Sequence, residues 1–323
     1  NVVITHGVGS IDTSRVTSVY GGQVNIYVDG VSYPQLVSAD LTTINVSAGL
    51  SLSFAQLQSI NGASIYGYEG TVLSFPSVTS YTMCGWSRFR ASGVGSSISL
   101  PSLVTVGNDG NRFRRLEVEA LGGGSIDLRG LASIVDQWVG DVRERTVGIS
   151  ADGAGSVVDL SSLVSFQDVT GYTESWWPGM SSLSVANGGV LLTPKLESLS
   201  NVVITHGVGS IDTSRVTSLY GGQINIYVDG VSYPQLVNAD LTTINVSAGL
   251  SLSFPQLQSI NGASIYGYEG TVLSFPSVTS YTMCGWSRFR ASGAGSSISL
   301  PSLATIGNDG NYQRRLEVES LGG

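Results

Sequence analysis

The reactive side chains of this chain are few, and they come in pairs. His6 and His206 are its two histidines and Cys84 and Cys284 its two cysteines, each pair two hundred residues apart. A Ser-His-Asp or Cys-His relay needs its histidine beside a nucleophile. His6 instead sits in a β-branched run, NVVITHGVGS, which reads as a strand, and nothing suggests that it meets Cys84 or a distant Ser. It is read as structural. Asp12, Asp127 and Asp159 share one position of a repeated pattern, as carboxylates stacked for Ca²⁺ would. Ser32, Ser53, Ser74 and Ser99 stand at that position in other repeats and break the row. GNDGN at 107–111 has oxygen donors without the spacing of a calcium loop. GGGS and GAGS resemble phosphate-binding turns, but no helix follows to offer its N-terminus. Asn45-Val-Ser is a glycosylation sequon if the source modifies such sites. No catalytic, cofactor or metal residue is expected, and the chain reads as a non-enzyme.

The distinctive chemistry lies with Trp and Arg. Four stretches hold them: TMCGWSRFR at 82–90, GNDGNRFRR at 107–115, VDQWVGDVRERT at 135–146 and QDVTGYTESWWPGM at 167–180. With their copies they contain Trp86, Trp138, Trp176, Trp177 and Trp286, which are all five Trp of the chain. Arg88, Arg90, Arg112, Arg114, Arg115, Arg143 and Arg145 lie there too, with Phe113. Trp, Tyr and Arg dominate interface hot spots, and Arg over Trp adds cation–π attraction. Trp and Tyr also stack on sugar rings. The stretches either pack on one another, or contact a second copy or another protein, or bind a glycan.

What must position these residues is a repeat. Residues 1–123 return as residues 201–323, with about nine positions in ten identical. Most differences keep an apolar site apolar, as in Val19/Leu219 and Val24/Ile224. Arg112-Phe113 becomes Tyr312-Gln313, so any site needing that pair is missing from the second copy. The chain starts without Met and stops inside a repeat, which reads as a window on a longer tandem array.

A shorter repeat runs inside the unit. Four apolar positions, φ-x-φ-x-x-φ-x-x-φ, recur eight times, from Ile11, Thr13, Val16, Val19 to Leu191, Thr193, Leu196, Leu199, and restart at Ile211. The minimum spacing, about twenty residues, is that of solenoid coils and too short for paired helices. An alternating run such as VNIYV or LEVEA precedes each pattern, which is a strand signal. Gly-rich corners such as ASGVGSS lie between run and pattern, and Pro recurs at one bend in YPQL, FPSV, LPSL and TPKL. The spacing predicts an all-β parallel β-solenoid (β-helix), about eight coils per unit, with four long insertions side by side on one edge. Residues 1–200 are expected to form a complete unit and 201–323 five coils and the start of a sixth, continuous with the first. At about 4.8 Å per coil, one unit advances about 38 Å. That separation puts Cys84 and Cys284 beyond disulfide reach.

Composition bounds the partners. Charged residues are 12% of the chain and the formal net charge is −8, which disfavours nucleic acid and anionic membranes. No run of eighteen apolar residues exists, so no membrane insertion is expected here.

SISLPSLVTVGNDGNRFRRLEVEALGGGSIDLRGLASIVD, VGISADGAGSVVDLSSLVSF and SVANGGVLLTPKLESL resemble the coils of giant tandem-repeat β-solenoid surface proteins of planctomycetes and related bacteria. Their repeats follow LPxL and GGxVDLSxL. The resemblance covers essentially the whole chain and implies a secreted or cell-surface solenoid used as a fibre, stalk or adhesin. The expected function is therefore an extracellular structural one, a segment of a fibre, stalk or surface filament. Its Trp/Arg ridges would join it to other copies of the same chain. An adhesin binding glycan or protein through those ridges is the alternative, and a polysaccharide-acting β-helix enzyme the less favoured one.

Overall fold

A computed structural model describes residues 2–47, 49–168, 180–247 and 249–322. Its regular elements, among the described residues, are all β-strands. Each alternating run forms one strand of a fourteen-stranded parallel sheet. Strands Val3–His6, Gln23–Ile26, Thr43–Val46, Ser64–Tyr68, Trp86–Ser92, Arg115–Leu121, Thr146–Asp152 and Ser181–Ala186 follow in chain order, one per coil. Val202–His206 restarts the series as the ninth strand and Arg315–Leu321 ends it as the fourteenth. Neighbours pair at equivalent positions, twenty residues on at Val3–Gln23 and thirty-four on at Gly148–Ser182. The protein is a parallel β-solenoid with eight coils per unit.

The four-position pattern supplies the other two faces. Short strands such as Ser97–Ser99 and Val157–Asp159 build a second face, and strands such as Thr105–Asn108 and Ser165–Gln167 a third. The bend between them is one hydrogen-bonded turn, repeated coil after coil. The N–H of the third apolar residue donates to the carbonyl of the second: Leu36 to Tyr33 (3.2 Å), Leu103 to Leu100 (3.1 Å), Leu163 to Leu160 (2.9 Å) and Leu196 to Thr193 (3.1 Å). Proline fits the residue after the acceptor because its fixed φ suits the first turn position and it owes no N–H there.

Inward residues meet their equivalents in the next coil. Phe54 and Phe75 stack with ring centroids 5.1 Å apart, Tyr33 lies 6.1 Å from Phe54, and all three are buried. His6 closes this row edge-on to Tyr33, its Nε2 2.8 Å from the phenol oxygen, and His206 repeats the arrangement with Tyr233. Both histidines are buried. Stacking is what buries these side chains: Ile11 in the first coil is 52% exposed, whereas Ile211, covered on both sides, is 7% exposed. Ser38/Asn238 shows how the copies tolerate change. Ser38 Oγ and Asn238 Nδ2 each donate to the carboxylate two residues on, Asp40 or Asp240.

One expectation about the corners needs correction. TMCGWSRFR is not a loop insertion: Ser80–Met83 and Trp86–Ser92 are both strands, joined by Cys84 and Gly85. The extra residues lengthen two faces, adding Met83 and Ser87 to the buried set. The second and third insertions are true loops. Phe113 N–H donates to Arg143 O (3.2 Å) and Asp141 N–H to Gly110 O (2.9 Å), so these two lie side by side as expected. Gly140, at φ +68°, comes so close that a Cβ would sit 2.0 Å from Gly110 O. The fourth insertion falls almost wholly outside the described residues.

At Gly124 an added Cβ would meet Ala91 O at 2.2 Å, inside the long sheet's ladder. Gly124→Ala is expected to destabilise by about 1–3 kcal/mol through forced overpacking, and Phe54→Ala by about 3–5 kcal/mol through the cavity it leaves. Urea-unfolding midpoints check both, with Val94→Ala, the exchange already present at residue 294, as the neutral reference.

Candidate interaction surface

Alternation in Trp86–Ser92 decides where the aromatic and cationic residues go. Ser87, Phe89 and Ala91 face the core, so Trp86, Arg88 and Arg90 project from the outer face of the long sheet. In the next coil Arg115, Glu117 and Glu119 project at the matching positions, because Arg115 pairs with Trp86, Glu117 with Arg88 and Glu119 with Arg90. In the preceding coil, Tyr66 pairs with Arg90 and lies stacked on Tyr68, centroids 6.2 Å apart. The result is a patch three coils high. Trp86 is 74% exposed, and the Arg115 guanidinium lies 5.9 Å from its ring centroid. Beside it Tyr66, Trp86, Arg88, Arg115 and Glu117 line a shallow cleft of about 240 Å³.

The patch recurs one unit on. Tyr266, Trp286, Arg288, Arg315 and Glu317 line an equivalent cleft of about 260 Å³, and Trp286 is again about three-quarters exposed. Arg112 and Phe113, which change between copies, belong to the corner loop and not to this cleft; Arg112 stacks on the Phe113 ring at 4.8 Å.

The arginines do not form the unpaired cationic ridge that their clustering suggests. Arg88 and Arg90 both pair with Glu119, at 3.1 and 2.7 Å, and Arg115 pairs with Glu117. In the loops Arg114 grips Asp109 through two hydrogen bonds (2.7 and 2.8 Å), which with its charge holds that carboxyl down at about 2. Arg143 likewise pairs with Asp141 and pulls it below the usual carboxylate range. The exposed face is thus a mosaic of both signs. Trp138 stands free on its loop, 73% exposed, while Trp176 and Trp177 lie outside the described residues.

Arg145 belongs to no surface. It is fully buried, Nη1 donating to Asn108 Oδ1 (2.7 Å) and Val139 O (3.0 Å), Nη2 to Gln137 O (2.8 Å). Its Nε lies 3.3 Å from Asp136 Oδ1, near enough for attraction but off-line for a hydrogen bond. Asn108 Nδ2 also donates to Asp136. Burial pushes the Asp136 carboxyl up to about 6, against the pull of Arg145 and helped by the neighbouring charge of buried Asp168. The side chain that looked like a contact residue is a strut holding the enlarged corner.

The other candidates are also absorbed by the fold. Asn45 Nδ2, the sequon nitrogen, donates to Asn25 Oδ1 at 2.8 Å within an amide row on the sheet. Asp127 and Asp159 are neighbours, but Asp127 is held by Arg129 (2.8 Å) and Asp159 accepts Ser161 N–H. Cys84 and Cys284 are half-buried free thiols. No known protein family, curated protein or solved structure matches this chain.

The buried groups set a pH dependence. Asp136 keeps its proton up to about pH 6 when folded and loses it near the ordinary carboxylate value when unfolded, so its contribution falls as pH rises between about 4 and 6. His206 has the opposite sign: burial lowers it to about 4, the unfolded imidazole binds a proton from about 6.5 downward, and stability rises with pH through the same window. The two act in opposite directions. Asp136→Asn should therefore make stability climb more steeply from pH 4 to 6.5, and His206→Gln should flatten or invert the climb, in denaturant titrations at half-unit pH steps.

Proposed function

We propose that this chain is a stretch of an extracellular structural protein, a rod that serves as a fibre, stalk or surface filament. The observation that carries the reading is the junction between units. Ser181–Ala186 pairs in register with Val202–His206 just as strands pair inside a unit, so a unit boundary is one more coil step. A fold in which each unit offers its successor a matching edge can be extended by tandem duplication without a new interface. The likeness of its coils to those of giant bacterial surface proteins points the same way, and to a place outside the cell.

The chemistry at hand supports mechanics over turnover. A concavity of about 580 Å³ beside the ninth and tenth coils brings together two carboxylates, Asp212 and Asp229, and Asp212 already accepts Ser214 N–H. A polysaccharide-cleaving site would need a free acid–base pair across such a groove. An adhesive role has one specific observation in its favour: the Trp86 and Trp286 clefts are open and of a size to seat a sugar ring.

Electron cryo-microscopy of the native material tests the proposal. Filaments with an axial repeat near 38 Å per unit, at about 4.8 Å per coil, are expected. Isolated globular particles with no axial repeat would contradict it.

A further inference from the structure

The outer face of the long sheet carries rows of long side chains that recur from one unit to the next. Along the strand direction its patch reads Trp86, Arg88, Arg90 in the fifth coil and Arg115, Glu117, Glu119 in the sixth. The same pair of rows recurs as Trp286, Arg288, Arg290 in the thirteenth coil and Arg315, Glu317, Glu319 in the fourteenth. Between the two patches short side chains project at Gly148, Ser150, Ser182, Ser184 and Thr205, and Gln223 and the half-exposed Tyr227 project from the tenth coil. The long charged side chains thus stand at two heights of the rod.

We propose that this face is a self-interface, on which a second copy of the chain lies antiparallel, sheet against sheet. The inference rests on the rod reading above and names the surface by which rods join. Consider a two-fold axis parallel to the strands, passing between the ninth and tenth coils. It lays the fifth coil of one copy over the fourteenth of the other, and the sixth over the thirteenth, keeping positions along the strand. Arg88 then faces Glu317 of the second copy, Arg90 faces Glu319, Glu117 faces Arg288 and Glu119 faces Arg290. Trp86 faces Arg315, and Arg115 faces Trp286. Arg88, Arg90, Glu117 and Glu119 each meet the opposite sign, and the Trp86 and Trp286 indoles each meet a guanidinium.

One further row agrees. Tyr266, in the twelfth coil, comes over Ser150 in the seventh, a large residue over a small one. Such a contact is isologous, since each rod supplies the same surface. The charges are already paired within each rod, but a carboxylate offers about four acceptor sites, so Glu117 can take a second guanidinium and Glu119 a third. Because the patches share one spacing, both engage at once. The second contact then forms at high effective concentration, so weak patches add to a stable pair. A parallel arrangement about the rod axis would reverse positions along each strand and lose this match.

A charge-swap experiment in sedimentation velocity tests the proposal. The chain itself is expected to show a monomer–dimer equilibrium with the frictional ratio of a rod. Changing Arg88→Glu with Arg288→Glu opposes like charges at four places and should weaken the dimer by on the order of a hundredfold or more. Changing Glu117→Arg with Glu317→Arg should do the same. An equimolar mixture of the two variants restores opposite signs at all four places and should dimerise again. Trp86→Ala with Trp286→Ala, at exposed positions that leave folding intact, should also yield monomers. Circular dichroism confirms that every variant is folded. If the variants associate like the parent, or the mixture stays monomeric, the interface is elsewhere and the proposal is wrong. A monomeric parent whose Trp86 and Trp286 fluorescence shifts with a neutral polysaccharide would overturn it in favour of a glycan site. Neither outcome touches the rod reading, which the frictional ratio reports independently.

Discussion

The structure depends on parallel, in-register stacking of successive coils. A single coil leaves the N–H and C=O groups of its strands unpaired and its inward side chains wet; the next coil takes up both. Ile11 and Ile211 measure the effect within one molecule, for the same residue type in the same pattern is half exposed in one and covered in the other. Stability in such an object is close to a sum of nearest-neighbour terms, so near-identical coils are favoured. Equal residues in register present equal surfaces, as Phe54 does to Phe75. The low charge content follows too, because most outward positions lie a strand's width from their own repeats.

Much of this was legible in the residues. The four-position pattern is the imprint of one turn, from the carbonyl of its second member to the N–H of its third, with Pro where that turn tolerates it. The alternating runs became the long sheet. The coil length near Arg88–Ala91 changes by one residue at the Gly-rich corner: Tyr68 and Ser92 pair, yet four residues lead from Tyr68 to Val72 and five from Ser92 to its partner Ser97, the extra one taken up around Gly93–Gly95. The corners misled where composition hid periodicity. In WSRFRAS the inward set is Ser87, Phe89 and Ala91, and a buried serine beside two arginines looks like a loop. Ser87 is tolerated inside because its hydroxyl donates to Arg115 O and accepts from the Tyr81 phenol. Arg145 misled for another reason. Asn108 comes from the neighbouring coil and Asp136 from the far end of Arg145's own insertion, and their convergence is visible only once the corner is closed.

The two treatments of charge divide the labour. Around Asp136, Asn108 and Arg145 charge is buried, and removing one partner would strand another in the interior. On the sheet face, Arg and Glu are half-exposed, held loosely in pairs, and arranged in rows that both copies keep. The interior cluster gives the corner its shape without being available to anything outside. The outer rows hold no core together; in the pairing proposed above they are the groups that would join two rods.

The central claim, that length comes from repetition of stacked coils alone, is tested most directly by small-angle X-ray scattering. Chains of one, two and three tandem copies of residues 1–200 would be compared. The account predicts a maximum dimension growing by about 38 Å per copy, at about 4.8 Å per coil, with the cross-sectional radius unchanged. A cross-section that widens as copies are added, with little gain in length, would mean that units fold against one another, and would contradict it.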